Sequence, residues 1–130
     1  GYGIRCLLTS GIEVAIITGR QSKLLEDRAK TLGITYLYQG QHNKLLAYQQ
    51  LLDTLNLKPE QTAYIGDDLI DLPVMEKVGL SVAVADAHPL LTPRADYVTH
   101  ILGGRGAVRE LCDLILLAQG RLEEAKGLSI

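Results

Sequence analysis

Short apolar runs alternating with helical patterns predict an α/β fold, a doubly wound parallel sheet in a single domain of 130 residues. Three observations carry that expectation. Val14-Ala15-Ile16-Ile17 and Ala63-Tyr64-Ile65 are continuously apolar, as strands buried on both faces are. The stretches between them space their leucines as amphipathic helices do. Start and stop residues, Ser22 and Asn43 ahead of two helical patterns and Gly33 behind one, divide the chain at the joints.

In chain order, residues 2–10 read as a short helix with Ile4, Leu7 and Leu8 inward, closed by Gly11. Residues 12–18 read as a strand. Ser22 caps a helix over 23–32 that buries Leu25, Ala29 and Leu32 and stops at Gly33. Residues 35–38 form a short strand. Asn43 caps a helix through Asn56 on Leu45, Tyr48, Leu52 and Leu55, and Pro59 closes that unit. Residues 62–65 are a strand, 68–78 a helix kinked or broken early by Pro73, 80–85 a strand and 97–100 a short last strand. Residues 107–119 are the last long helix, buried through Val108, Leu111, Ile115 and Ala118.

Composition narrows the function classes. The net charge of −2 offers no general attraction to nucleic acid or anionic membranes. No apolar run approaches the ~18 residues of a membrane helix, and no signal-peptide pattern is seen. Cys6 and Cys112 fit no metal or redox spacing; both lie in apolar helical patterns, which points to buried thiols in a reducing compartment. The three histidines, His42, His88 and His100, show no ligand spacing.

The stretch around which the rest is organised is Gly66-Asp67-Asp68-Leu69-Ile70-Asp71, where a strand ends at a glycine and three carboxylates follow within five residues. Carboxylates at the carboxyl end of a strand sit where open α/β sheets bind ligands. Adjacent negative charges call for a cation, and hard oxygen donors suit Mg²⁺. The competing reading is helix capping, and one of Asp67 and Asp68 is expected to cap. Two further groups precede this one. Thr18 ends a strand and leads into Gly19-Arg20; Lys44 opens a helix after Gln39-Gly40-Gln41-His42-Asn43. A hydroxyl, an ammonium and metal-binding carboxylates at neighbouring strand ends suit a phosphoryl group: the first holds its oxygens, the others neutralise its charge. Taken singly, Thr18 reads equally as a cap, Lys44 as a solvated lysine and Asp71 as a surface acid. The order Thr, Lys, Gly-Asp-Asp-x-x-Asp is more specific than its parts.

That order resembles the haloacid dehalogenase-like phosphohydrolases over the whole chain. Val14 to Arg20 looks like the superfamily's second motif, Lys44 like the third, and Gly66 to Asp71 like the fourth. Within the superfamily the chain resembles the cap-less 3-deoxy-D-manno-octulosonate 8-phosphate phosphatase family. The likeness rests on Gly1-Tyr2-Gly3-Ile4-Arg5, Thr18-Gly19-Arg20, Gln39-Gly40, Asn43-Lys44, Pro73-Val74-Met75, Ala85-Asp86-Ala87 and the stretch from Gly103 to Glu110. The resemblance implies a Mg²⁺-dependent, cytoplasmic, homotetrameric phosphatase of lipopolysaccharide synthesis. It implies Asp67 as metal ligand and a catalytic set of Thr18, Lys44 and Asp68, with Asp71 supporting. It implies substrate contacts from Gly1, Arg5, Arg20, Arg28 and Lys44. Arg20 and Arg28 are eight residues apart, so both can flank one crevice, and arginine forks suit carboxylate and phosphate. Pairing of Arg28 with Glu26 or Asp27 is the equal alternative.

The superfamily's first motif, Asp-x-Asp on an apolar strand, occurs nowhere in the 130 residues. The resemblance assigns to it the attacking carboxylate, which forms an aspartyl-phosphate, and the general acid. It also places that strand centrally, between the strands at 12–18 and 62–65. Without it both neighbours leave backbone groups unpaired, at ~1–3 kcal/mol each where buried, against a typical domain stability of ~5–15 kcal/mol. The expectation is a carboxy-terminal part of a longer protein, inactive by itself, whose strands at 12–18 and 62–65 do not pair. The turn at 103–106 reads either as a flexible loop or, by resemblance, as a loop that with the tail shields a neighbouring subunit's site. A related nine-carbon sugar acid phosphate is the alternative substrate, and a silent phosphate-binding relative the alternative class. A signalling receiver domain fits less well, because its acidic pair precedes its Thr and Lys.

Overall fold

Two parallel sheets order the strands. The computed structural model describes residues 2–103 and 106–118. The elements run α1 (Tyr2–Thr9), β1 (Ala15–Ile17), α2 (Lys23–Leu32), β2 (Tyr36–Tyr38), α3 (Lys44–Leu55), β3 (Ala63–Gly66), α4 (Leu72–Met75), β4 (Leu80–Ala83), β5 (Tyr97–Val98) and α5 (Ala107–Ala118), with short 3₁₀ turns at Pro59–Gln61, Leu69–Asp71 and Thr92–Arg94. One sheet pairs β1 with β2, and the other has the order β3-β4-β5, every pairing parallel. Helices gather in two groups, α1 against α5 and α3 against α4, with α3 also on β1 and α4 on β3 and β4. This is the packing of a doubly wound α/β fold. Among the described residues no helix is long and apolar enough to cross a membrane.

Local signals set the element ends. Ser22 Oγ accepts the Leu25 amide at 3.2 Å and Gly33 closes α2 with φ 81°, a left-handed conformation that glycine adopts without strain. Asn43 Oδ1 accepts the Leu46 amide at 3.2 Å, and Asn56 (φ 53°) ends α3. The expected helix over 68–78 is instead a 3₁₀ turn followed by the four-residue α4. Pro73 causes no kink, because it lies in the first turn of α4, where its missing N–H is not needed.

The buried face of α5 differs from the expected one. Val108 is 47% exposed and Ala118 is exposed; Ala107, Glu110, Leu111, Cys112, Asp113 and Leu116 face inward. The helix turns two acids inward because both find partners there. Glu110 accepts the backbone amides of His100 and Ile101 and the Tyr97 hydroxyl, while Arg109 Nε donates to Asp113 at 3.0 Å. Buried carboxylates are tolerated when so paired. Cys6 and Cys112 are free, buried thiols in the α1–α5 core, as expected.

Among the described residues no pairing joins β1 to β3. The open edges can be identified residue by residue. Thr18 donates its N–H to the Tyr38 carbonyl and accepts from Gln41, so both its backbone groups face β2 and those of Ile17 face away. The carbonyls of Thr62 and Gly66 accept from Leu80 and Val84 of the β4 segment, so Ala63 and Ile65 face away from β4. What bridges the two sheets is α3: Tyr48 Oη lies 2.8 Å from Thr62 Oγ1, and Lys44 reaches the turn after β3.

Candidate active site at the carboxyl end of β3

Asp71 is the centre of this site. It is 2% exposed. Its Oδ2 accepts the amides of Asp67 (3.0 Å) and Asp68 (3.2 Å); its Oδ1 accepts the Tyr64 hydroxyl (2.6 Å) and the Lys44 ammonium (2.7 Å). The surface-acid reading of Asp71 is therefore wrong. Gly66 is required by the same packing, since a Cβ there would lie 2.7 Å from Asp71 Cβ. Asp68 Oδ1 caps the turn by accepting the Leu69 amide at 2.7 Å, so Asp68 is the capping member of the pair. The Asp67 carboxylate is exposed beside it.

Electrostatics follow from this arrangement. Burial alone would raise the pKa of Asp71, but hydrogen bonds from Lys44, Tyr64 and the Asp67 amide outweigh it and hold the carboxyl below its usual range. Burial and the neighbouring charge of Asp71 push Asp67 up. Burial, then the bond to Asp71, drives the Tyr64 phenol far up, so it remains a neutral donor. Lys44 stands at the first position of α3, where the helix dipole disfavours a cation. The Asp71 carboxylate offsets that cost.

Thr18 lies at the end of β1 in a loop laced to the segment after β2. Gly40 N–H donates to the Arg20 carbonyl (2.9 Å), Ser22 N–H donates to Gln39 Oε1 (2.8 Å), and Thr18 Oγ1 accepts the Arg20 amide (3.1 Å). Because Lys44 follows that same segment and reaches Asp71, the ends of β1, β2 and β3 open to one side. The described contacts join Lys44, Asp67, Asp68 and Asp71 directly. Arg20 is exposed at the Thr18 loop. Arg5 is placed elsewhere: it donates to the Thr31 carbonyl (3.4 Å) near the far end of α2. Arg28 is exposed, and Asp27 pairs with Lys23 rather than with it. Gly1, Gly104, Arg105 and the tail from residue 119 lie outside the described residues. A cleft of about 510 Å³ between α2 and β2, lined by Gln21, Glu26, Lys30, Tyr38, Gln39 and Gln41, is separate from the carboxylates.

Sequence reasoning missed Tyr64. The available signal was strand alternation, which puts Tyr64 on the same face as Gly66, the surface on which Asp71 packs.

Among the described residues no three His, Cys, Asp or Glu side chains cluster to hold a metal ion. Asp67 nevertheless fits Mg²⁺: it is an exposed hard-oxygen donor crowded by two other carboxylates, and Mg²⁺ commonly takes one or two carboxylates, keeping waters and substrate phosphate for the rest.

Comparison with known proteins adds to this geometry. The family model of haloacid dehalogenase-like hydrolases matches residues 34–102, which include Lys44, Tyr64 and all three aspartates. The chain is 77% identical over its full 130 residues to a 3-deoxy-D-manno-octulosonate 8-phosphate phosphatase of Salmonella typhi, covering 69% of that protein. It is similar to the crystal structure of the phosphatase of that name from Yersinia pestis, with a TM-score of 0.93 and 76% identity over 98% of this chain and 69% of the other. It is also similar to the Moraxella catarrhalis phosphatase in complex with magnesium ion, phosphate ion and a KDO molecule, with a TM-score of 0.91 and 44% identity over 93% of this chain and 70% of that one.

Proposed function

The chain belongs to the haloacid dehalogenase-like hydrolases, in the 3-deoxy-D-manno-octulosonate 8-phosphate phosphatase family, and from that premise we propose that the protein of which it is part hydrolyses this sugar acid phosphate in lipopolysaccharide synthesis, using Mg²⁺, in the cytoplasm. The observation that carries the reading is the Lys44–Asp71 pair at 2.7 Å, which sets an ammonium beside the Gly-Asp-Asp turn. The magnesium, phosphate and KDO named for the Moraxella catarrhalis structure support it.

In this reading Thr18 and its loop amides hold phosphoryl oxygens and Lys44 neutralises their charge. Asp67 holds the metal, whose contribution when bound is to offset charge on the phosphoryl group. Asp68 and Asp71 fix the turn that aims Asp67. Arg20, Arg28, Arg5 and Gly1 contact the sugar acid. Arg5, tied to the far end of α2, and exposed Arg28 suit a neighbouring subunit's site better than their own.

The attacking carboxylate belongs to a strand lying between β1 and β3, supplied from outside these 130 residues. It displaces the sugar alkoxide from phosphorus, a second acid protonates that oxygen, and water then cleaves the aspartyl-phosphate. The 130 residues by themselves do not turn over. A homotetramer, with the tail near a neighbour's site, accords with the exposed apolar side chains Leu69, Ile70, Leu90, Ile101 and Leu102 that follow β3, β4 and β5.

The test is phosphate release by the full-length protein from eight- and nine-carbon sugar acid phosphates, with Mg²⁺ and with chelator. Release from the eight-carbon substrate, lost on chelation, is expected. Preference for the nine-carbon substrate, or no release from either, contradicts the reading.

A further inference from the structure

We propose that Tyr64 is a positioning residue for phosphate binding: its phenol shares Asp71 Oδ1 with Lys44 and so leaves the lysine free to turn to the substrate. This rests on the reading of Lys44 above. Four donors fill the Asp71 carboxylate, two backbone amides on Oδ2 and the Tyr64 and Lys44 groups on Oδ1. Three of them cannot leave: the amides belong to the turn, and the phenol stands on β3 at 2.6 Å. Lys44 alone sits on a flexible stem, with two further protons to give.

A phosphoryl group must compete with Asp71 for that ammonium. Each hydrogen bond the carboxylate receives from elsewhere weakens its hold on Lys44. With the phenol absent, Oδ1 has only Lys44 to satisfy it, and the pair tightens in a site where the Lys44 side chain is 13% and the Asp71 side chain 3% exposed. Substrate then meets a lysine already engaged. Tyr64 would therefore set how readily Lys44 exchanges carboxylate for phosphate, without itself touching the substrate.

The experiment uses the full-length protein as wild type, Tyr64→Phe, Lys44→Met and the double variant, with folding checked by thermal melts. Calorimetric titration with inorganic phosphate and steady-state kinetics are the readouts. Tyr64→Phe is expected to weaken phosphate binding roughly fivefold and raise KM by a similar factor, with kcat within about twofold of wild type. In the Lys44→Met background the same change is expected to matter by less than about twofold, because the two residues act on one oxygen. Unchanged phosphate affinity in Tyr64→Phe, or an equal loss in both backgrounds, overturns the proposal and leaves Tyr64 as a brace for the turn. If the coupling appears but no sugar acid phosphate is hydrolysed, the proposal stands and the substrate assignment falls.

Discussion

The two sheets are built from equally apolar strands, yet only one of them holds fully buried strand residues. In the three-stranded sheet, Val82 and Ala83 of β4 are fully buried and flanked by β3 and β5, and Ala83 packs with Met75, Val84, Ala87, Leu91 and Ala107. In the two-stranded sheet, Ala15, Ile16 and Ile17 are only half-buried. Hydrophobicity does not separate these strands; neighbours do. A parallel strand is buried when both edges are paired and both faces covered, and β1 has one edge paired. The catalytic candidates lie along the seam between the halves, with Lys44 on one side and Asp71 on the other.

That contrast can be broken by mutation. Asp71→Ala, at the three-stranded side of the seam, strips four donors of their acceptor and leaves Lys44 partly buried without a counter-charge. A loss of about 3–5 kcal/mol in denaturant unfolding is expected, as for one partner of a buried ion pair. A loss under about 1 kcal/mol would make the network ornamental. Core truncations sharpen the difference. Val82→Ala is expected to cost about 2 kcal/mol in the 130-residue chain and in the full-length protein alike. Ile16→Ala is expected to cost about 1 kcal/mol in the 130-residue chain and about 3 kcal/mol in the full-length protein, where β1 becomes an interior strand. Equal costs for Ile16→Ala in both would mean that β1 is already as buried as it becomes.

Acid provides a smaller effect, confined to the three-stranded side. Burial favours a neutral Glu110, but the Tyr97 hydroxyl and the amides of His100 and Ile101 outweigh it and lower its pKa from 4.5 to about 2. A carboxylate with a depressed folded pKa contributes stability that is present in full above 4.5 and lost as pH falls through about 2. Asp71, also held low, adds in the same direction. Glu110→Gln is expected to flatten stability against pH across that window, read by thermal melts between pH 5 and 2. An unchanged slope would assign the acid sensitivity elsewhere.

The sequence was most legible where its signals are local. Ser22, Gly33, Asn43 and Asn56 mark helix ends through bonds to residues three or four away, and those ends lie where expected. The inward face of α5 was not legible, because Glu110 is held by groups nine and more residues away. The Gly-Asp-Asp turn was found as a site, but the division of labour within it depends on burial: Asp68 caps, Asp71 organises and Asp67 remains open. Arg5 shows that a motif match does not say which site a residue serves, since its contact is to the far end of α2.

The seam is tested most directly by hydrogen exchange at the amides of Ile17 and Ile65, which face away from β2 and β4 respectively. A strand seated between β1 and β3 in the full-length protein predicts strong protection of both there and little in the 130-residue chain, with Val82 protected in each. Protection of Ile17 and Ile65 in the 130-residue chain equal to that of Val82 would mean the seam is already closed, and the attacking carboxylate would have to be sought elsewhere.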